Sequence, residues 1–215
     1  MNLPNSITLV RICCVPLFLG ILSSHGFHAV HGRQEVLAAA VFLLASLTDG
    51  VDGYLARRTN RVTTLGTLLS PLADQLLVAT AYITLVLFAP ALVSGWMAVV
   101  IVGREFLVTG LTSVAVQEGI TLRVQKTGKV KTVVQVVSVV AVLMAHAWPR
   151  WPVGGAMLPG VTIARAAIWL MMGVSVLSAM VYFRSFWLEA MLKSRQRRAA
   201  LPFVVRQDGK NVRAT

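Results

Sequence analysis

Six long apolar runs divide this chain, at about 7–31, 34–57, 62–92, 95–117, 128–148 and 158–183. A helix needs about 20 mostly apolar residues to cross the hydrocarbon core of a bilayer. Inside that core every backbone N–H and C=O must be satisfied within the structure, which leaves few folds open to such a chain. The composition agrees: 56% of the 215 residues are hydrophobic and 13% charged, with a mean hydropathy of +0.74. A soluble domain of this size seldom carries so little charge. The expected fold is all-α, a polytopic membrane protein built as a bundle of six transmembrane helices. No internal repeat, low-complexity segment or long linker interrupts it. The simplest division is a membrane domain over 1–183 and a basic tail over 184–215.

The net charge of +12 invites a nucleic-acid reading. Its distribution favours membrane topology instead. Arg57, Arg58 and Arg61 lie between the second and third runs, and Arg123, Lys126, Lys129 and Lys131 between the fourth and fifth. Arg184, Lys193, Arg195, Arg197 and Arg198 follow the sixth, and Arg11 lies near the start. The alternate connections hold Arg33 and Arg150. Cationic connections stay in the cytoplasm, so both termini are expected there. No base-reading motif accompanies the charge, and no nucleic-acid partner is expected. A cleaved signal peptide is not expected either, because no basic segment precedes the first run and no small-residue cleavage site follows it. Pro4 and Asn5 predict a turn or an interfacial start before the first helix. Cys13 and Cys14 sit side by side in an apolar run and are expected to be two buried thiols rather than a disulfide.

Three of the four aspartates, Asp49, Asp52 and Asp74, fall within one stretch flanked by membrane-grade sequence. At about 100° per residue, Asp49, Asp52, Gly53, Ala56 and Arg57 share an arc of roughly 140° on the second helix. Gly66, Ser70 and Asp74 follow at a spacing of four and share a face of the third. Arg58 to Arg61 is the expected turn, and folding back there brings the two polar faces together at the cytoplasmic end. Carboxylates gathered in a membrane repel one another and need cations. Arg57 offers one, and hard oxygen donors suit Mg²⁺ or Mn²⁺, above all with phosphate completing the shell. Gly53, Ala56 and Gly66 leave room for a ligand against the helices. Small residues alone would signal close helix packing, and a single intramembrane aspartate a proton relay or ion site. The combination in one register is more specific than either. A cation-coupled transporter would need an aqueous path across the bilayer, whereas these acids gather at one end.

From Asp49 to Asp74 the residues resemble, without a gap, the signature D-x2-D-G-x2-A-R-x8-G-x3-D-x3-D of the CDP-alcohol phosphatidyltransferases. The stretch "LPNSITLVRI" (3–12) is similar to that family's amphipathic start. "VGREFLVTGLTSVAVQEGI" (102–120) and "TGKVKTVVQ" (127–135) resemble the branch that uses glycerol 3-phosphate and makes phosphatidylglycerophosphate. The resemblance implies a six-helix membrane enzyme, often a homodimer, that uses two divalent metals, Mg²⁺ or Mn²⁺. It would displace CMP from CDP-diacylglycerol by the hydroxyl of glycerol 3-phosphate, at the cytoplasmic face of the plasma membrane and among membrane lipids. Carried over by position, Asp49, Asp52 and Asp74 are metal ligands, and Asp74 is also the general base. Gly53, Ala56, Arg57, Thr63 and Gly66 line the CDP-lipid site. Arg104, Lys129 and Lys131, expected near the cytoplasmic ends of the fourth and fifth helices, hold the acceptor phosphate.

Three positions depart from the pattern. Ser70 stands where the signature has its third aspartate, and a neutral hydroxyl is a poorer Mg²⁺ ligand than a carboxylate. Gln75 follows the last aspartate where that branch often has lysine, and Thr112 replaces a usual arginine. Two further readings follow: a relative that uses another acceptor alcohol, or a weakened or inactive homologue that binds nucleotide lipid.

Overall fold

A computed structural model describes residues 3–23, 32–59, 64–120, 125–153 and 156–200, with side chains at 8–23, 32–48, 69–120, 130–151 and 157–193. These residues form helices α1 (Leu3–Ser23), α2 (Arg33–Thr59), α3 (Thr64–Phe88), α4 (Gly95–Gln117) and α5 (Gln125–Ala147). A hairpin of β1 (Arg150–Val153) and β2 (Ala156–Pro159) leads into α6 (Gly160–Ala200). Each helix overlaps one apolar run, and the described residues are all-α in their regular structure apart from that hairpin.

Several boundaries differ from expectation. α1 begins at Leu3, so Pro4 and Asn5 are helical rather than a preceding turn. Proline is tolerated in a first turn because the N–H it lacks has no partner there. α2 runs through Thr59, so Arg58 and Thr59 extend the helix, while Asn60 and Arg61 lie outside the described residues. α6 continues as one helix to Ala200, beyond the expected end of the sixth span. Cys13 is exposed and Cys14 partly buried, both as free thiols. Neighbours on a helix point about 100° apart, so adjacent thiols do not share one inward face.

α1 packs on α2 and α3, α3 on α4 and α5, and α6 closes the bundle against α4 and α5. The core holds Phe18, Phe42, Leu77, Tyr82, Leu85, Ile101, Val139, Leu143, Ile168 and Met171. The outer surface is apolar too: Leu87, Leu107 and Val116 are more than 70% exposed. Side chains of that kind facing outward in quantity require lipid rather than water around them. Among the described residues, four segments are long and apolar enough to cross a membrane: Leu69–Phe88, Gly95–Gln117, Val130–Ala147 and Gly160–Lys193. The chain is a mostly helical membrane protein.

The end of the bundle remote from the aspartates is tied by polar contacts. The Gln34 side chain donates to the carbonyls of Ile21 and Leu22, both at 2.7 Å, and so satisfies carbonyls in the last turn of α1. Glu35 meets His146 Nδ1 at 3.0 Å, and the His146 ring packs against Phe88. Gly32 adopts φ +81°, and the Trp148 ring fills the space a Cβ would take. In the hairpin Arg150 pairs with Pro159 and Trp151 with Leu158, reversing the chain between α5 and α6.

Candidate active site

Helical register carries the aspartate stretch into three dimensions. Asp49, Asp52, Gly53, Ala56 and Arg57 lie in the second half of α2. Gly66, Ser70 and Asp74 lie in the first half of α3, and the two helices touch. The side chains of Asp49, Asp52, Gly53, Ala56, Arg57 and Gly66 are outside those described, and Thr63 lies outside the described residues altogether. Ser70 and Asp74 are both partly buried, one helical turn apart. Pro71 stands between them inside α3. Its ring has no N–H, so the carbonyl one turn earlier, that of Thr67, loses its ordinary helical partner. Among the described residues no group of three or more His, Cys, Asp or Glu side chains forms a metal-binding cluster.

Gln75 is 6% exposed, a neutral amide placed inside the bundle. Thr112 donates its hydroxyl to the Val108 carbonyl at 2.7 Å. Its side chain is engaged by its own helix, as threonines within helices often are.

The cations expected at the acceptor phosphate behave differently from the simple picture. Arg104 does not stand near the end of α4. It lies thirteen positions before Gln117, about 20 Å of helix at 1.5 Å per residue. Lys131 belongs to α5 rather than to the connection before it, and only 6% of it is exposed. Lys129 is in the same helix, with its side chain outside those described.

Arg104 and Lys131 meet through Glu105. Lys131 Nζ lies 2.7 Å from Glu105 Oε1, and Arg104 Nη1 donates to the same oxygen at 3.1 Å. Arg104 Nη2 donates to Ser178 Oγ on α6 at 2.6 Å, and the Tyr182 ring lies 5.9 Å from its Cζ. A buried charge set is tolerable when opposite charges pair and the remaining hydrogens find acceptors. Here two cations share one carboxylate, so the set keeps a net positive charge suited to an anion. A second polar chain runs nearby across α3 and α5. Ser138 Oγ donates to the Gln135 carbonyl at 2.8 Å, which uses its one hydrogen. The Tyr82 hydroxyl, 2.7 Å from Ser138 Oγ, is therefore the donor to it.

Sequence reasoning missed Ser178, Tyr182 and the burial of Arg11, which is 0% exposed. A signal for the first two was present: Ser175, Ser178 and Tyr182 recur at helical spacing inside an apolar run. Arg11 carried no comparable mark, because an arginine near a terminus also fits membrane topology.

A mostly helical membrane protein with an aspartate signature across two touching helices, and a buried cationic pair further along the bundle, defines an enzyme class. The chain belongs to the CDP-alcohol phosphatidyltransferase family, whose pattern matches residues 1–181. It is similar to the CDP-diacylglycerol--glycerol-3-phosphate 3-phosphatidyltransferase of Bacillus subtilis, 41% identical over 198 residues, covering 86% of this chain and 95% of that protein. The protein of the same name from Pseudomonas fluorescens is 32% identical over 192 residues, covering 87% of this chain and 91% of its own length. A probable phosphatidylglycerophosphate synthase of Mycobacterium tuberculosis is 37% identical over 138 residues, 64% of each chain.

Proposed function

We propose that this chain makes phosphatidylglycerophosphate and CMP from CDP-diacylglycerol and glycerol 3-phosphate. One observation carries the reading: a relative named for that transfer is 41% identical along 95% of its own length. The buried Arg104–Glu105–Lys131 set supports it, because an acceptor that carries phosphate calls for fixed cations. The proposed setting is a six-span bundle in the plasma membrane, with both termini and the site cytoplasmic. Residues 1–183 form the membrane domain and 184–215 a basic tail. The outward apolar faces of α4 and α6 offer surface for membrane lipids and for a second copy in a homodimer.

In this reading Asp74 takes the proton from the acceptor hydroxyl as its oxygen attacks the phosphorus that bears diacylglycerol. A new P–O bond forms, the diphosphate bridge breaks, and its electron pair leaves with CMP. Gly53, Ala56, Arg57, Thr63 and Gly66 seat the CDP moiety, while Arg104, Lys129 and Lys131 orient the acceptor phosphate. Asp49, Asp52 and Asp74 are hard oxygen donors of the kind Mg²⁺ or Mn²⁺ prefers, and they would hold it. When bound, the cation supplies neutralisation of the diphosphate charge. Ser70 leaves this chain one carboxylate short of the family signature.

The test is product formation by the purified chain in micelles with CDP-diacylglycerol. Labelled glycerol 3-phosphate, inositol phosphate and serine are offered separately. Label should enter lipid from glycerol 3-phosphate alone, with matching CMP release. Transfer to another alcohol, or to none, would sink the proposal.

A further inference from the structure

A carboxylate inside an anion site opposes the ligand. Glu105 is such a group: it stands between Arg104 and Lys131, and one of its oxygens accepts from both, at 3.1 and 2.7 Å. By Coulomb's law a negative charge this close repels an incoming phosphate.

Three features of the structure outweigh that repulsion. Lys131 is 6% exposed, and a cation so buried needs a counter-charge close by. Glu105, 2.7 Å from Lys131 Nζ, supplies that charge and holds the ammonium in place before any acceptor arrives. Both cations converge on a single oxygen, which keeps their nitrogens within about 6 Å of each other, a span one phosphate group can bridge. Arg104 is also gripped from its other side by Ser178 at 2.6 Å and the Tyr182 ring at 5.9 Å. Its guanidinium is thus framed between α4 and α6, and its buried Nε has no partner among the described residues, which leaves a donor for a ligand. An anion site gains more from cations held ready than from cations that must be ordered on binding.

We propose that Glu105 is a positioning residue for the acceptor phosphate, and that Ser178 and Tyr182 complete its frame from α6. The proposal rests on the reading of Arg104 and Lys131 as acceptor contacts. It makes α6 part of the acceptor site, although the aspartate signature lies on α2 and α3.

Charge alone and positioning predict opposite signs. KM values for glycerol 3-phosphate and CDP-diacylglycerol are measured on the purified full-length chain in micelles. Glu105→Gln keeps the shape and removes the charge. Its KM for glycerol 3-phosphate should rise about tenfold, or ~1.4 kcal/mol, with KM for CDP-diacylglycerol unchanged. Glu105→Asp should recover part of the loss. A lower or unchanged KM for glycerol 3-phosphate in Glu105→Gln overturns the proposal. So does a fall in kcat and melting temperature with both KM values unmoved, the mark of a merely structural group. Ser178→Ala, which leaves the charge set intact, should raise the same KM several-fold, and it decides the matter should Glu105→Gln fail to fold. Lys131→Met separates the two layers. If it raises KM for glycerol 3-phosphate while Glu105→Gln does not, the acceptor site stands and the positioning role falls. If it leaves that KM unmoved, the acceptor reading fails and the proposal goes with it.

Discussion

Ser70→Asp restores the carboxylate that the family signature has and this chain lacks. Ser70 is partly buried and lies one turn before Asp74 on α3. Side chains four apart on a helix are about 5–6 Å apart at Cβ. At an effective dielectric constant of about 20, two carboxylates at that distance repel by about 3 kcal/mol. Without divalent cation the variant should therefore be less stable than the parent by about that amount. Cation binding reverses the sign. A ligand at a hundred times its Kd stabilises the folded state by about 2.7 kcal/mol, close to the repulsion introduced. The melting temperature of Ser70→Asp should fall in chelator and recover in Mg²⁺, whereas the parent changes less between the two. CMP release should reach half-maximum at lower Mg²⁺, with a rate gain on the order of 10²-fold if the added ligand lowers the barrier by about 2.7 kcal/mol. Melting in detergent with and without Mg²⁺, beside metal-titrated CMP release, measures both effects. If Ser70→Asp stays destabilised in saturating Mg²⁺ and neither its metal dependence nor its rate improves, position 70 is a packing site.

Other substitutions probe separate parts of the argument. Asp74→Asn should cut turnover by about 10²-fold or more if it removes the general base, with the far-ultraviolet helical signal preserved; near-parent turnover would take Asp74 out of the mechanism. Tyr82→Phe deletes the bond to Ser138, which keeps its bond to the Gln135 carbonyl, and should cost about 1 kcal/mol in a stability measurement. Gly32→Ala forces a side chain onto φ +81° and into the Trp148 ring. Its cost should be about 1–3 kcal/mol, read as a lower melting temperature, with KM values unchanged because the proposed site is at the other end. A cysteine at position 60 should resist an impermeant thiol reagent in sealed cells and react after permeabilisation; ready labelling from outside would invert the proposed topology.

The helices were legible in the sequence because the requirement behind them is local. A backbone in lipid must satisfy its own hydrogen bonds, so each long apolar run becomes a helix. The aspartate signature was legible for a related reason. Its spacings within 49–57 and 66–74 are helical, and the shared face follows from 3.6 residues per turn, with no knowledge of the rest of the fold. The precise ends were less so: α1 takes in Pro4, and α6 runs on to Ala200.

What the tertiary structure decided is which way each helix faces. In a soluble protein an apolar stripe marks the inward side. Here lipid and core are both apolar, so Leu107, 73% exposed, and Ile101, 0% exposed, read alike in the sequence. The same ambiguity hid the charges. Lys131 counts as one more cation beside a cytoplasmic connection until α5 turns it toward Glu105. Arg104 finds Ser178, 74 positions away, only because α6 packs against α4. The sequence by itself determined that the chain would be helical, membrane-embedded and equipped with a phosphotransfer signature. The packing of α4, α5 and α6 brought together the Arg104–Glu105–Lys131 ion set and Ser178, since no local pattern records which helices will be neighbours.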